Sequence, residues 1–169
     1  MATGYVFDEI FAQHDYPGHP ENAQRLSVIV KYLTDHNLLS QLHQVPARPA
    51  TFNELTYAHH PNYVEMVEDT CRFGGGMLDA DTYTTPASYE AAARAVGGLV
   101  DLTAAVVKGE LDNGFALVRP PGHHALPSRA MGFCLFGNVV IAARAVQSKL
   151  NVERIAIVDF DVHLSLIHI

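Results

Sequence analysis

Two short stretches of this 169-residue chain concentrate the groups that chemistry needs: Arg119-Pro120-Pro121-Gly122-His123-His124 and Asp159-Phe160-Asp161-Val162-His163. Side chains of an extended strand alternate with period two. Asp159, Asp161 and His163 would therefore project to one side and Phe160 and Val162 to the other. Three ionisable groups stacked at the end of a buried strand are costly unless something compensates them. A divalent metal does so, since Asp oxygen and His nitrogen are standard zinc ligands. A solvated strand end with ordinary hydrogen-bonded side chains is the plain alternative. In the other stretch the prolines remove backbone donors and stiffen the chain, and Pro-Gly suits a tight turn. The result is a rigidly presented pair of imidazoles. Such pairs serve where a metal-bound water must lose a proton and a leaving amine must gain one. Adjacent histidines can equally be surface residues, but two such constellations, each closing a buried run, are hard to dismiss. A third piece, Met131-Gly132-Phe133-Cys134-Leu135-Phe136, reads as core packing, with the aromatic after glycine a candidate channel wall.

These groups need elements to position them. Residues 115–118 (Phe-Ala-Leu-Val) and 155–158 (Ile-Ala-Ile-Val) lack polar alternation and read as strands buried on both faces. Pro20 suits a first helical position, and Leu26, Ile29, Val30 and Leu33 follow at helical spacing. Thr51-Phe52-Asn53-Glu54 has the capping-box pattern. His60-Pro61 opens a helix with Tyr63, Val64 and Val67 on one face. Residues 88–108 form an Ala-rich helix stopped by Gly109, with Gly97-Gly98 as small residues that permit close packing. Asn138 caps a last helix reaching about Leu150. Helices alternating with buried strands predict an α/β domain with a parallel sheet, whose ligands gather beyond the carboxyl ends of the strands.

Composition narrows the function. The chain is 49% hydrophobic and 17% charged, as a folded globular protein is. Its net charge of −7 speaks against a nucleic-acid surface, which needs clustered Lys and Arg. It leaves room for cationic substrates such as lysine-rich peptides or polyamines. The start shows no secretory signal, and the most apolar helical stretch, residues 91–107, carries Arg94 and Asp101 and is too short and charged to span a bilayer. Cys71 and Cys134 have neither CxxC spacing nor a disulfide-rich context, so a reducing cytoplasm is expected.

Taken together, the chain resembles the histone deacetylase superfamily, including its acetoin-utilisation and acetylpolyamine amidohydrolase branches. The likeness rests on His14 with Gly18-His19-Pro20-Glu21 and Arg25-Leu26, on His59-His60-Pro61 with Tyr63, and on Asp81-Thr82 ahead of Ser88-Tyr89-Glu90. Its most specific blocks are RPPGHHA from Arg119, MGFC from Met131, and IVDFDVH from Ile157. The resemblance implies an arginase/deacetylase-like three-layer α/β fold with a mainly parallel sheet, and a zinc ion at the base of a narrow acyl channel. It implies that Asp161 and His163 are two of three zinc ligands and that His123 and His124 move protons. Asp159 would hold His123, and Phe133 would wall the channel. Gly132 would offer its carbonyl to the substrate amide, Arg25 would lie near an inner cavity, and Asp81 would orient substrate at the rim. A structural potassium near Asp159 and Asp161 is a further implication. The implied reaction is hydrolysis of an acetamide in an acetylated lysine peptide, an acetylpolyamine or a small acetamide. Zinc would lower the pKa of its bound water from ~15.7 towards ~7.

The sequence also departs from the family. The third zinc ligand and the oxyanion tyrosine of the family lie further along and have no counterpart here, and Gly137 stands where asparagine is usual. Residues 1–163 are thus expected to be the N-terminal part of a deacetylase-like catalytic domain, incomplete at its C-terminus. Residues 164–169 are expected to be a foreign tail, and the chain as written to be inactive. An exposed edge strand is expected at the last buried run. An arginase-like two-metal hydrolase and a non-catalytic module of the same fold are the competing readings. Oligomeric state and the particular substrate are not legible.

Overall fold

The computed structural model describes residues 1–164. The tail expected at 164–169 therefore lies, from Ser165 onward, outside the described residues. Strand β1 (Thr3–Val6) is central, with β2 (His43–Val45) and β5 (Asn113–Ala116) both parallel to it in the order β2-β1-β5. Helix α1 (Gln24–Asp35) connects β1 to β2. The return to β5 runs through α2 (Phe52–Leu55), α3 (Pro61–Arg72), an antiparallel hairpin of β3 (Gly76–Asp79) and β4 (Thr82–Thr84), and α4 (Ser88–Val107). Helix α5 (Asn138–Leu150) packs along α4. The expected α/β architecture with a parallel sheet is present.

Local signals explain most boundaries. Thr51 Oγ1 accepts from Glu54 N–H at 3.2 Å while Glu54 Oε2 accepts from Thr51 N–H at 2.9 Å, closing the capping box. Pro61 occupies the first turn of α3, and that helix buries Tyr63, Val64 and Val67. Gly109 at φ +75° terminates α4. The paired glycines of α4 serve packing. A Cβ at Gly98 would sit 2.6 Å from Val6 Cγ1, and one at Gly97 would run into the backbone of Arg48, Pro49 and Ala50. One apolar cluster lies under the sheet (Val6, Phe11, Leu26, Ala91, Leu102, Leu117), and another joins α3, α4 and α5 (Val64, Val67, Val96, Phe136, Ile141).

Three expectations need correction. Helix α1 begins at Gln24 rather than Pro20, because residues 19–22 are held as a loop by side-chain contacts; Asp15 Oδ1 and Asn22 Oδ1 take the first free N–H groups, those of Ala23 and Gln24. Asn138 is the first residue of α5 rather than its cap, and its side-chain amide donates to Pro120 O at 3.4 Å. The apolar runs shift or dissolve. Strand β5 covers 113–116, not 115–118, with Leu117 N–H donating once more to Val6 O, and Phe115 is exposed. Residues 155–158 form no strand, and Val158 is 84% exposed. A strand buried on both faces needs neighbours on both sides, and the described residues supply none beyond it. Among the described residues, no helix is long and apolar enough to cross a membrane.

Candidate functional site

The RPPGHH loop leaves β5 clamped at several points. Arg119, 0% exposed, makes a two-pronged contact with Glu21: Nε donates to Oε1 at 2.7 Å and Nη2 to Oε2 at 2.8 Å. Its Nη1 donates to Phe11 O at 2.9 Å. Burial opposes a charge there, but the Glu21 carboxylate overrides it and raises the Arg119 pKa. Gly122 presses so closely on Asn138 that a Cβ would lie 2.5 Å from Asn138 Oδ1. Beneath this loop His14 stacks on Tyr83 at 4.5 Å, and its Nδ1 contacts Ser88 Oγ at 2.6 Å. Burial, then Arg119 and His19, pull the His14 pKa down to about 3, so its ring is neutral.

The histidine pair lies with ring centroids 4.2 Å apart, His123 open to solvent and His124 buried. His123 Nδ1 donates to Asp159 Oδ2 at 3.0 Å. In the neutral tautomer that this fixes, Nε2 is left as the base. Asp159 Oδ1 also accepts from Asp161 N–H at 3.1 Å, and Asp161 Oδ1 accepts from His163 N–H at 2.7 Å. These are Asx-type turns, so the chain reaches the site by folding back on its own carboxylates rather than as an extended strand. His163 Nδ1 lies 3.1 Å from Asp161 Oδ1. The His163 backbone N–H holds the Asp161 carboxyl below its ordinary pKa, against a smaller desolvation effect.

A cavity of about 550 Å³ gathers His123, His124, Gly132, Phe133, Asp161 and His163, with Asp81 at its edge on the hairpin between β3 and β4. Gly132 and Phe133 take left-handed φ of +56° and +69°, and Phe133 N–H donates to Thr82 Oγ1 at 3.0 Å. His19 packs edge-on against Phe133 at 4.8 Å, and its Nε2 reaches Asp81 O at 3.1 Å. A second cavity of about 540 Å³ holds Arg25, Glu21 and Asp159, and it shares Pro121, His123 and Asp161 with the first. Arg25 donates from Nη2 to Val118 O at 3.0 Å. Sequence-predicted residues thus divide: seven meet in the front cavity, and Arg25 and Asp159 stand behind the loop. The Gly132 carbonyl expected to meet substrate accepts here from Cys134 Sγ at 3.2 Å, and burial pushes that thiol up to about 12. Cys134 is therefore no nucleophile.

Sequence reasoning missed the supports. Glu21, His14 and His59 stood in the quoted motifs without a role. His59 Nε2 accepts from Gly137 N–H at 2.9 Å while its Nδ1 donates to Leu126 O at 3.0 Å, tying the segment after His124 to the start of α5. An arginine directly after an apolar run was the available signal, since a buried guanidinium demands a carboxylate.

For a metal, Asp161 and His163 are the convergent donors, and carboxylate oxygen with imidazole nitrogen suits zinc. Among the described residues no cluster of three or more His, Cys, Asp or Glu side chains is arranged to hold one. The donor chemistry fits a zinc position that needs a further ligand.

Comparison with known proteins gives a consistent picture. Residues 19–165 match the model of the histone deacetylase domain. The chain is 38% identical over 146 residues to the histone deacetylase-like amidohydrolase of Pseudomonas aeruginosa, covering 86% of this chain and 38% of that protein. It is 39% identical over 176 residues to polyamine deacetylase HDAC10 of Danio rerio (96% and 26%), and 35% over 191 residues to human histone deacetylase 9 (96% and 19%). The solved HD domain of HDA15 superposes with a TM-score of 0.84 at 36% identity, covering 87% of this chain and 43% of that one. The chain thus spans well under half the length of these curated relatives. With its site blocks, its parallel sheet and these likenesses in agreement, the chain belongs to the histone deacetylase family.

Proposed function

We propose that this chain carries the proton-transfer machinery and two zinc-ligand positions of a deacetylase acting on acetylated amines, either acetyl-lysine side chains or acetylpolyamines. The carrying observation is the front cavity, where residues from three separate stretches meet: His123 and His124, Gly132 and Phe133, Asp161 and His163. Asp161 and His163 would hold zinc, which would polarise the amide carbonyl and acidify water. The chain's own residues do the rest. Asp159 fixes the His123 tautomer, leaving Nε2 to exchange a proton with water or with the departing amine. His124, buried against Gly132, presents its ring from a fixed direction. Phe133 excludes water from one wall, and the aliphatic arm of the substrate would lie along it. Asp81 at the mouth would receive the polar end of the substrate. A structural potassium would sit near Asp159 and Asp161. Two unlinked buried thiols, Cys71 and Cys134, accord with a cytoplasmic setting.

Two donors converge among the described residues, and such a pair binds zinc poorly, because catalytic sites take three protein ligands. We therefore expect the 169-residue chain alone to be silent. The test replaces the matching segment of the Pseudomonas aeruginosa amidohydrolase with residues 1–164. A folded chimera should hydrolyse an acetyl-lysine peptide or N-acetylputrescine, lose activity to a chelator, and lose it again in His124→Ala. A folded but inert chimera would refute the reading.

A further inference from the structure

The loop of Pro121, Gly122 and His123 is the partition between the front and rear cavities, since Pro121 and His123 line both. Its root is Arg119, which is wholly buried and whose two-pronged partner, Glu21, lies 98 residues away and itself lines the rear cavity. Arg119 Nη1 also donates to Phe11 O, and Nη2 contacts the Tyr83 hydroxyl at 3.3 Å. One guanidinium thus grips three other segments of the chain. Burying an ion pair is expensive, and well-packed apolar side chains of similar volume are often as stable. What such a pair supplies is a fixed position. Pro120 and Pro121 follow directly and lock φ at both residues, so a displacement at Arg119 is carried along a stiff connection towards His123.

We propose that Arg119, held by Glu21, is the positioning residue that keeps His123 in register with Asp159. That this register serves proton transfer rests on the deacetylase reading; the placement itself does not. In the uniformly 15N-labelled 169-residue chain, the His123 Nδ1 proton bonded to Asp159 should give a downfield signal, assigned by its loss in His123→Asn. In the apolar double variant Arg119→Met with Glu21→Leu, that signal should vanish while amide resonances of α4 and α5 stay in place. Should the double variant unfold, Arg119→Lys decides the matter. Lysine keeps the charge but loses the fork, and the same signal should broaden or shift. An unchanged His123 signal in a folded variant overturns the proposal. Unfolding of both variants also overturns it, because Arg119 would then be a plain stabiliser. An inert chimera with a lost signal would sink the deacetylase reading and leave the positioning role standing.

Discussion

At Gly132 two penalties coincide. The backbone holds φ +56°, and an added Cβ would lie 2.5 Å from Cδ2 of His124. Gly132→Ala is therefore expected to destabilise by roughly 1–3 kcal/mol, visible as a lower melting temperature, and to shift the His124 ring resonances. An unchanged melt would show that the contact relaxes freely. Asp159 acts on a different quantity. Removing the acceptor of His123 Nδ1 in Asp159→Ala should cut turnover by the active chimera about 10–100-fold, with little change in its melting temperature. Turnover within twofold of the parent would remove Asp159 from the mechanism. Residues of this kind were legible because a local spacing announced them: tandem imidazoles after two prolines, and carboxylates at alternate positions. Arg119 with Glu21, and His14 with Ser88, were not. Each pair joins positions more than 70 residues apart, and only the folded chain makes them neighbours.

Among the elements, α2 shows how a short helix is held. Glu54 is buried, and burial alone would raise its pKa. Hydrogen bonds from Arg48, Lys149 and Thr51 N–H outweigh that effect and bring it to about 2, from an ordinary 4.5. A depressed carboxylate stabilises the fold fully above its unfolded pKa and loses that contribution as pH falls through the folded value. The loss should run from about pH 4.5 to about 2 and amount to something on the order of 3 kcal/mol. Denaturant titrations of the parent and of Glu54→Gln across that range should converge at low pH; parallel curves would contradict the assignment. Helices were the readable part of the fold. Capping residues, a proline start and a glycine stop set α2, α3 and α4 from local chemistry. The strand expected at 155–158 failed because an apolar tetrapeptide states only that it prefers burial; whether a neighbouring strand is there to pair with it is a tertiary fact.

Across the whole molecule, acid acts first through two buried imidazoles, that of His59, whose pKa burial lowers, and that of His14. The His14 ring is neutral in the fold, with a pKa of about 3, whereas the unfolded chain takes up a proton below about 6.5. Stability should therefore start to fall near pH 6.5, two units above the Glu54 window. His14→Phe, which keeps a ring to stack on Tyr83, should make the curve shallower between pH 6.5 and 4.5, His59 supplying the remaining slope, and an unaltered slope would count against the assignment. The exposed run around Val158 and Phe160, the latter 95% accessible, is an apolar patch open to association. The chain should self-associate with rising concentration in sedimentation, and Val158→Glu with Phe160→Glu should return it to monomer. A parent that stays monomeric would show the patch to be harmless.

Among the described residues, β1 is the middle strand of its sheet. Residues 3–6 pair on one side with 43–45 and on the other with 113–116. During synthesis β1 therefore waits for its second partner until more than a hundred further residues have followed. Sheet closure joins sequence-distant segments, which makes it slow and leaves the early chain open to wrong partners. For this topology, shielding of β1 until β5 is available should raise the yield of folded chain.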